Sequence, residues 1–410
     1  MLDWANQSGI FCFLDNHNYQ TGPHSFECLL AAGAKRKFRA DSGTALADLQ
    51  NFMDKRPRWL FGHLCYDLKN EIENLVSTHD DHLQFPGVYF FEPEIIIRLS
   101  EKELIIESDQ DAEIIFRQIM ESSPAEDKQS HFTSHNLQQR FSKDEYIETI
   151  GKLKSHILRG DCYEINFCQE FFAEGIAIDP VKVYTRLSSL SPNPFSALYK
   201  LENKFLLCAS PERFLRKEGS RVLSQPIKGT SSRFLEDESK DAESREELFA
   251  SNKDRSENVM VVDLVRNDLS RVCKEGSVGV DELYGIYSFP QVHQMISTVS
   301  GKLKEDISFT EIIKATFPMG SMTGAPKKRV MELIEQYERS RRGIFSGALG
   351  YITPDGDFDF NVVIRSIMYH AGNKYLSVQA GSGITFYSDA EKEYEECLLK
   401  AEAMKRVLVD

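Results

Sequence analysis

Short strand-forming runs that follow one another through brief turns constrain this chain more than any other feature. From residue 160 onward they cover 163–171, 205–208, 277–288, 347–352, 362–368 and 375–378, with helical spacing over 242–257, 325–339 and 389–408. Strands joined by brief turns pair antiparallel, whereas each step of a parallel sheet needs a long crossover. The expected class is therefore α+β with antiparallel sheets, not regular βαβ winding. The first third reads similarly, with Gly87-Val88-Tyr89-Phe90-Phe91 and Glu94-Ile95-Ile96-Ile97-Arg98-Leu99 as strand candidates. A polar, aperiodic stretch over 121–139 reads as a linker or long surface excursion. After it, Ser142-Lys143-Asp144-Glu145 forms a capping box. Tyr146, Ile147, Ile150, Leu153, Ile157 and Leu158 follow at helical spacing, and Gly160 stops the helix. A boundary near 120–140 separates an N-terminal region, 1–130, from a second region, 140–410, and the two are expected to interleave as one structural unit.

A chain of 410 residues has room for one large domain or two ordinary ones. Its 63 acidic against 49 basic residues give a net charge of −14. Such a surface repels phosphate backbones, so no nucleic-acid partner is expected, and an anionic small molecule would need a locally positive pocket. Apolar runs are no longer than Ile95-Ile96-Ile97, far short of the roughly 20 residues of a membrane span, so no membrane partner is expected either. Met1-Leu2-Asp3-Trp4 shows neither a basic nor an apolar leader segment. Cys12, Cys28, Cys65, Cys162, Cys168, Cys208, Cys273 and Cys397 form no C-x-x-C pair. Reduced thiols and a cytoplasmic location are the expectation.

Four stretches carry candidate chemistry. In Gln225-Pro226-Ile227-Lys228-Gly229-Thr230, a lysine beside an apolar residue and a flexible turn can be partly desolvated, which lowers its pKa and makes it a nucleophile. Gly229 permits close backbone approach and Thr230 adds a hydroxyl. In the run from Asp254 to Asp268, Asp254 and Glu257 share a helix face, and Arg266-Asn267-Asp268 looks like a polar network closing the element. On the last helix, with Ser388 and Glu391 as its capping box, Glu393, Glu396 and Lys400 flank a stripe of Tyr394, Leu398, Ala401, Met404 and Leu408. Carboxylates on two separate helices suit Mg2+, which takes one or two of them and keeps places for an anionic substrate. The fourth group comprises Met322-Thr323-Gly324-Ala325-Pro326-Lys327 at a helix start, the Gln379-Ala380-Gly381-Ser382-Gly383 turn, and Arg365 in an alternating strand. Each alone also fits a solvated turn, a charged helix face or a surface salt bridge.

Taken in order, these stretches resemble the chorismate-utilising enzymes, the family of anthranilate synthase large subunits and aminodeoxychorismate synthase component I. The resemblance covers residues 140–410 most strongly, through Gly160-Asp161-Cys162-Tyr163-Glu164-Ile165-Asn166, Ser210-Pro211-Glu212-Arg213-Phe214, P-I-K-G-T, D-L-V-R-N-D, T-G-A-P-K, Arg341-Arg342-Gly343, V-I-R-S and A-G-S-G. Phe61-Gly62-His63-Leu64-Cys65-Tyr66-Asp67-Leu68 is its weaker N-terminal counterpart. The resemblance implies an anthranilate-synthase-component-I-like fold, with antiparallel sheets packed as a sandwich and helices outside. It also implies Mg2+ held by Glu257 and Glu396 against the ring carboxylate of chorismate. Substrate contacts would come from Gly229, Thr230, Arg365, Gly381, Ser382, Gly383 and Lys400. Phe345 stands where anthranilate synthases have a substrate-contacting tyrosine.

Within that resemblance Lys228 selects the aminodeoxychorismate branch, because anthranilate synthases have alanine there. It implies attack of the Lys228 amine on C2 with loss of the C4 hydroxyl, Glu212 as general acid, then ammonia addition at C4 to give 4-amino-4-deoxychorismate. No glutamine amidotransferase segment is evident, so a separate glutaminase subunit is the expected ammonia source. A separate lyase would then yield 4-aminobenzoate for folate. The alternatives are anthranilate synthase component I and a non-catalytic chorismate-binding subunit. Two positions depart from the pattern. Gln294 replaces a histidine, with His293 adjacent. Glu164 stands where amine-using relatives have glutamine and water-using ones a lysine base, and its role stays open.

Overall fold

The computed structural model describes residues 1–19, 28–54, 57–122 and 137–409. Among these residues, two antiparallel sheets of eleven and ten strands account for the strand-rich pattern. The N-terminal strands are shared between them. Ile10–Asp15 pairs with Phe195–Leu201 in the first sheet, and Leu60–Leu64 pairs with Ala348–Ile352 in the second. Residues from both sheets meet in one apolar core, which includes Cys12, Phe61, Leu206 and Phe360. Cys12 and Leu206 face it from the first sheet, while their chain neighbours Phe11 and Leu207 belong to a second core. That second core is closed by Lys143–Leu158, Pro180–Leu190, Lys327–Tyr337 and Ala390–Leu408, the helices that cover the outside of the first sheet. This is the alternation that a pleated strand imposes.

Several local readings change. Ser142 and Glu145 do form a capping box, on the helix Lys143–Leu158. Most of the polar stretch, 123–136, lies outside the described residues; its ends belong to the helix Ala112–Glu121 and the short strand Gln138–Gln139. The final helix, Ala390–Leu408, is capped by Asp389, whose carboxylate accepts from the Glu391 and Lys392 N–H groups. Ser388 is not the cap, because its hydroxyl already accepts from Thr385 N. The helix expected over 242–257 is two helices, Glu238–Ala250 and Asn252–Val272, broken at Ser251, which caps the second. Asp268 therefore lies inside a helix. There it pairs with Lys327, fastening the helix that begins after Pro326. That pairing occupies the Lys327 ammonium.

Candidate active site

A cleft of about 810 Å³ opens where the ends of the two sheets approach each other between Asn252–Val272 and the C-terminal helix. Gly229, Thr230, Arg365, Gly381, Gly383 and Lys400 line it together with Lys228, Glu212, Glu257 and Glu396. Residues spread over almost two hundred positions of sequence are thus gathered in one place.

Lys228 reaches the cleft because its strand is irregular. The P-I-K-G-T segment is not a flexible turn but the strand Ile227–Ser232, and its pairing with Val292–Lys302 slips between Ile227↔Ile296 and Thr230↔Gln294. The slip inserts Lys228-Gly229 as a bulge, a device that re-aims a side chain. Gly229 has φ +94, and a Cβ there would meet Asp254 at 3.0 Å. Lys228 is 9% exposed, and its Nζ donates to Glu164 Oε1 at 2.6 Å across to the other sheet. Burial opposes its charge, but Glu164, Glu257 and Glu212 outweigh that and raise its pKa above the ordinary lysine value. The lowered pKa expected from desolvation is therefore reversed by the neighbouring carboxylates.

Glu212 is buried, and burial pushes its carboxyl up to about 7 despite the nearby Lys228. It sits on the cleft wall beside Pro211. Arg365 is not in a continuous strand. Phe358–Val362 belongs to the second sheet and Ser366–His370 to the first, and the chain crosses between them at Arg365 with φ 49. Its guanidinium makes no hydrogen bond or ion pair with any described residue, and burial lowers its pKa. An unpaired guanidinium on a cleft wall is a receptor for a carboxylate.

The A-G-S-G segment is also strand, part of Tyr375–Ile384. Its first residues are paired on both sides, but from Gln379 onward only Glu164–Glu174 is alongside. Gly381 O accepts from Lys400 Nζ at 3.0 Å, so Gly381 and, by alternation, Gly383 turn their backbone polar groups toward the open edge. Ser382 faces the other way. It is buried and does not line the cleft, which removes it from the contacts expected.

The carboxylates divide between the two helices as expected, with one addition. Glu257, on Asn252–Val272, is buried, its Oε1 lacks a hydrogen-bond partner, and burial raises its pKa to about 7. Glu396 is held below the ordinary value by Lys400, 2.7 Å away. Glu393 is 1% exposed, with Oε2 unpartnered and Oε1 3.2 Å from Lys253 Nζ, which is also 3.8 Å from Glu257. The spacing puts Glu393 on the helix flank but does not reveal its burial against Lys253. No group of three or more His, Cys, Asp or Glu among the described residues forms a closed metal cage. The unpartnered oxygens of Glu257 and Glu393 are hard donors of the kind Mg2+ accepts.

The two departures also find places. Gln294 lines the cleft with its Oε1 buried and unpartnered. His293 faces the opposite side of the strand, where it contacts Ser288 Oγ at 2.8 Å and Asp241 at 3.2 Å. It therefore does not stand in for the replaced histidine. The Arg-Arg-Gly motif supports the wall from behind. Arg342, fully buried, donates to Glu338, Met322 O and Asn166 O, and lies over the Tyr66 ring. Asp67 accepts from Gly343 N and pairs with Arg341, so the N-terminal motif braces the C-terminal one.

A two-sheet α+β enzyme fold with an acid-lined and lysine-bearing cleft is the class these features define. The family model described as chorismate binding enzyme matches residues 12–406, and the chain belongs to that family. It is 34% identical over 354 residues to aminodeoxychorismate synthase component 1 of Escherichia coli, covering 85% of this chain and 76% of that protein. It is 42% identical over 270 residues, 65% of this chain, to the probable chloroplastic aminodeoxychorismate synthase of Oryza sativa, where the match spans only 30% of the rice protein. The fold matches anthranilate synthase component I of Streptococcus pneumoniae with a TM-score of 0.81, at 24% identity and over 92% of each chain. The antiparallel α+β architecture expected from the sequence is the one observed. No helix among the described residues is long and apolar enough to cross a membrane.

Proposed function

We propose that the protein is the chorismate-converting subunit, component I, of an aminodeoxychorismate synthase. The observation that carries this reading is the buried Lys228 ammonium on a bulge at the floor of the cleft, among Glu164, Glu212 and Glu257. In this reading Arg365, Lys400 and the open backbone edge at Gly381 and Gly383 hold the carboxylates of chorismate. Thr230 and Gly229 border the reacting face, and Phe345 packs against it without a hydroxyl. The Lys228 amine attacks C2 while Glu212, protonated in part near pH 7, gives its proton to the departing C4 hydroxyl. Ammonia then adds at C4, the C2–N bond breaks, and 4-amino-4-deoxychorismate leaves. Mg2+ held by Glu257 and Glu396, with Glu393 beside them, would neutralise the ring carboxylate and make the ring more receptive to a nucleophile.

Ammonia is proposed to come from a separate glutaminase subunit, and the product to serve 4-aminobenzoate and folate synthesis. The eight free cysteines, all buried, fit a reducing compartment such as the cytoplasm. The test is incubation of the protein with chorismate, Mg2+ and an ammonium salt, with the product identified by chromatography and mass. Aminodeoxychorismate, with an acid-stable adduct on Lys228 that Lys228→Ala abolishes along with turnover, is the expected result. Anthranilate as product would replace this reading with that of an anthranilate synthase. Unchanged turnover in Lys228→Ala would remove the covalent step, and no turnover with ammonia or a glutaminase would make the chain a chorismate-binding subunit.

A further inference from the structure

Glu164 has no part in the reaction as written above, yet it makes the closest polar contact to the nucleophile. Its side chain is 2% exposed at the start of the strand Glu164–Glu174. Oε1 accepts from Lys228 Nζ at 2.6 Å, and Oε2 is buried without a hydrogen-bond partner. The pair fills a space that exists because residue 383 has no side chain: a Cβ there would lie 2.6 Å from Glu164 Oε1 and 2.9 Å from Lys228 Nζ.

The amine must lose a proton before it can attack. Glu164, Glu257 and Glu212 together favour the ammonium form against the effect of burial. Among the described residues, Glu164 Oε1 is the one acceptor hydrogen-bonded to Nζ. Glu164 Oε2, buried without a hydrogen-bond partner, leaves a second acceptor unmet beside the amine. Substrate filling the cleft expels water and removes the solvation that the two charged forms need, which favours the neutral pair.

We propose that Glu164 is the catalytic base that converts the Lys228 ammonium into the nucleophilic amine, an inference that rests on the lysine-adduct reading above. The N–H bond breaks, an O–H bond forms on Oε1, and the lone pair remains on Nζ. That pair bonds to C2 as the ring double bonds shift and the C4–O bond breaks; the hydroxyl takes the Glu212 proton and leaves as water. The secondary ammonium so formed is the leaving group when ammonia bonds to C4. Lysine departs as the neutral amine and recovers its proton from Glu164, while the new C4 ammonium returns a proton to Glu212, so that all three residues regain their starting state.

The experiment is a single turnover with excess enzyme, chorismate and Mg2+ but no ammonia, quenched in acid, with the adduct at Lys228 followed by intact mass and peptide mapping. Glu164→Gln, which keeps the shape and an acceptor oxygen but cannot take a proton, is expected to slow adduct formation by roughly 10²-fold or more. Its affinity for chorismate should stay within about threefold, because the contact removed is not to substrate. Glu164→Asp should recover part of the rate. Adduct formation in Glu164→Gln at the wild-type rate or faster, while wild type forms the adduct, overturns the base and leaves Glu164 a mere counter-ion whose removal frees the amine. Wild type that forms no adduct overturns the covalent reading and the role of Glu164 with it.

Discussion

Gly383→Ala separates damage to the site from damage to the fold. A Cβ at Gly383 lies 2.6 Å from Glu164 Oε1 and 2.9 Å from Lys228 Nζ. A relaxed contact is roughly 3.5 Å, so the two side-chain ends must retreat by about 0.6–0.9 Å. Both are free ends, so the sheet keeps its register and the stability loss stays near the low end of overpacking, about 1 kcal/mol. Misplacing a reacting group by about 1 Å costs on the order of 10²-fold, and kcat should fall by that factor. Gly381, two residues earlier, is the control. Its Cβ would lie 1.9 Å from Phe167 O and 2.6 Å from Cys168 Cα, backbone atoms that move only if the strands part. That costs about 3 kcal/mol or more. With an unfolding entropy of about 2.1 cal/mol/K per residue over 410 residues, Tm drops by roughly 3–4 °C or more. Calorimetric melts paired with initial rates of chorismate consumption read both quantities. Gly383→Ala with wild-type kcat would refute the claim that the Lys228–Glu164 geometry matters. Gly381→Ala with an unchanged melt would refute the strand contact.

Glu212, held up at about 7 by burial, loses its acid form as pH rises through that value, and the rate of adduct formation should fall with it. Because the folded chain keeps this proton to higher pH than the unfolded one, the same group lowers stability as pH rises from the ordinary carboxylate value to about 7. A rapid-quench rate that still climbs above neutral pH, or a Glu212→Gln variant with the same alkaline limb, would remove Glu212 as the acid. Arg365→Ala should raise KM for chorismate by roughly 10- to 150-fold, the worth of a charge-assisted hydrogen bond of about 1.5–3 kcal/mol. Arg365→Lys should recover little of it, having no planar fork, and an unchanged KM in either would exclude the contact. Glu257→Ala should abolish both turnover and its response to added Mg2+; activity that still depends on Mg2+ would move the metal elsewhere.

The sheets were legible because alternation and turn residues are local. So was the identity of most cleft residues, which stand in motifs that keep their order along the chain. What the sequence hid was geometry that depends on pairing partners. The break at Arg365 was invisible because Val362 to Ile367 is rich in β-branched residues, as one strand would be, and only the separate sheets of its two halves reveal the crossing. The bulge at Lys228-Gly229 needs a second strand to be a bulge at all. Ser382 was misplaced because a G-S-G run reads as a turn, although its glycines are there for close approach to Glu164–Glu174 and to the Lys228–Glu164 pair. The charge on Lys228 reverses its expected sense for a related reason. Burial could be guessed from Ile227, but the carboxylates that oppose it come from residues 164, 212 and 257.

Surface and cleft set different conditions for an anionic ligand. The chain carries a net charge of −14, whereas the cleft wall holds six acidic and six basic side chains. Behind that wall the buried Glu164 and Glu393 tip the balance negative. A dicarboxylate approaching this site is therefore drawn in only where positive charge is concentrated, at Arg365, Lys400 and the Lys228 ammonium. Protonation of Glu212 shifts the site toward attraction, as would a divalent cation held by Glu257 and its neighbours. In the proposed reaction the same nitrogen that helps admit the substrate must then lose its charge to attack it. A base in bulk solvent could not meet both demands, since Lys228 would have to be neutral before substrate filled the cleft. A carboxylate held 2.6 Å away inside the cleft can, because the proton need move only once water has been excluded. In the proposed reaction the raised pKa of Lys228 does not oppose nucleophilic catalysis: it describes the state that binds, and the contact with Glu164 would supply the route to the state that attacks.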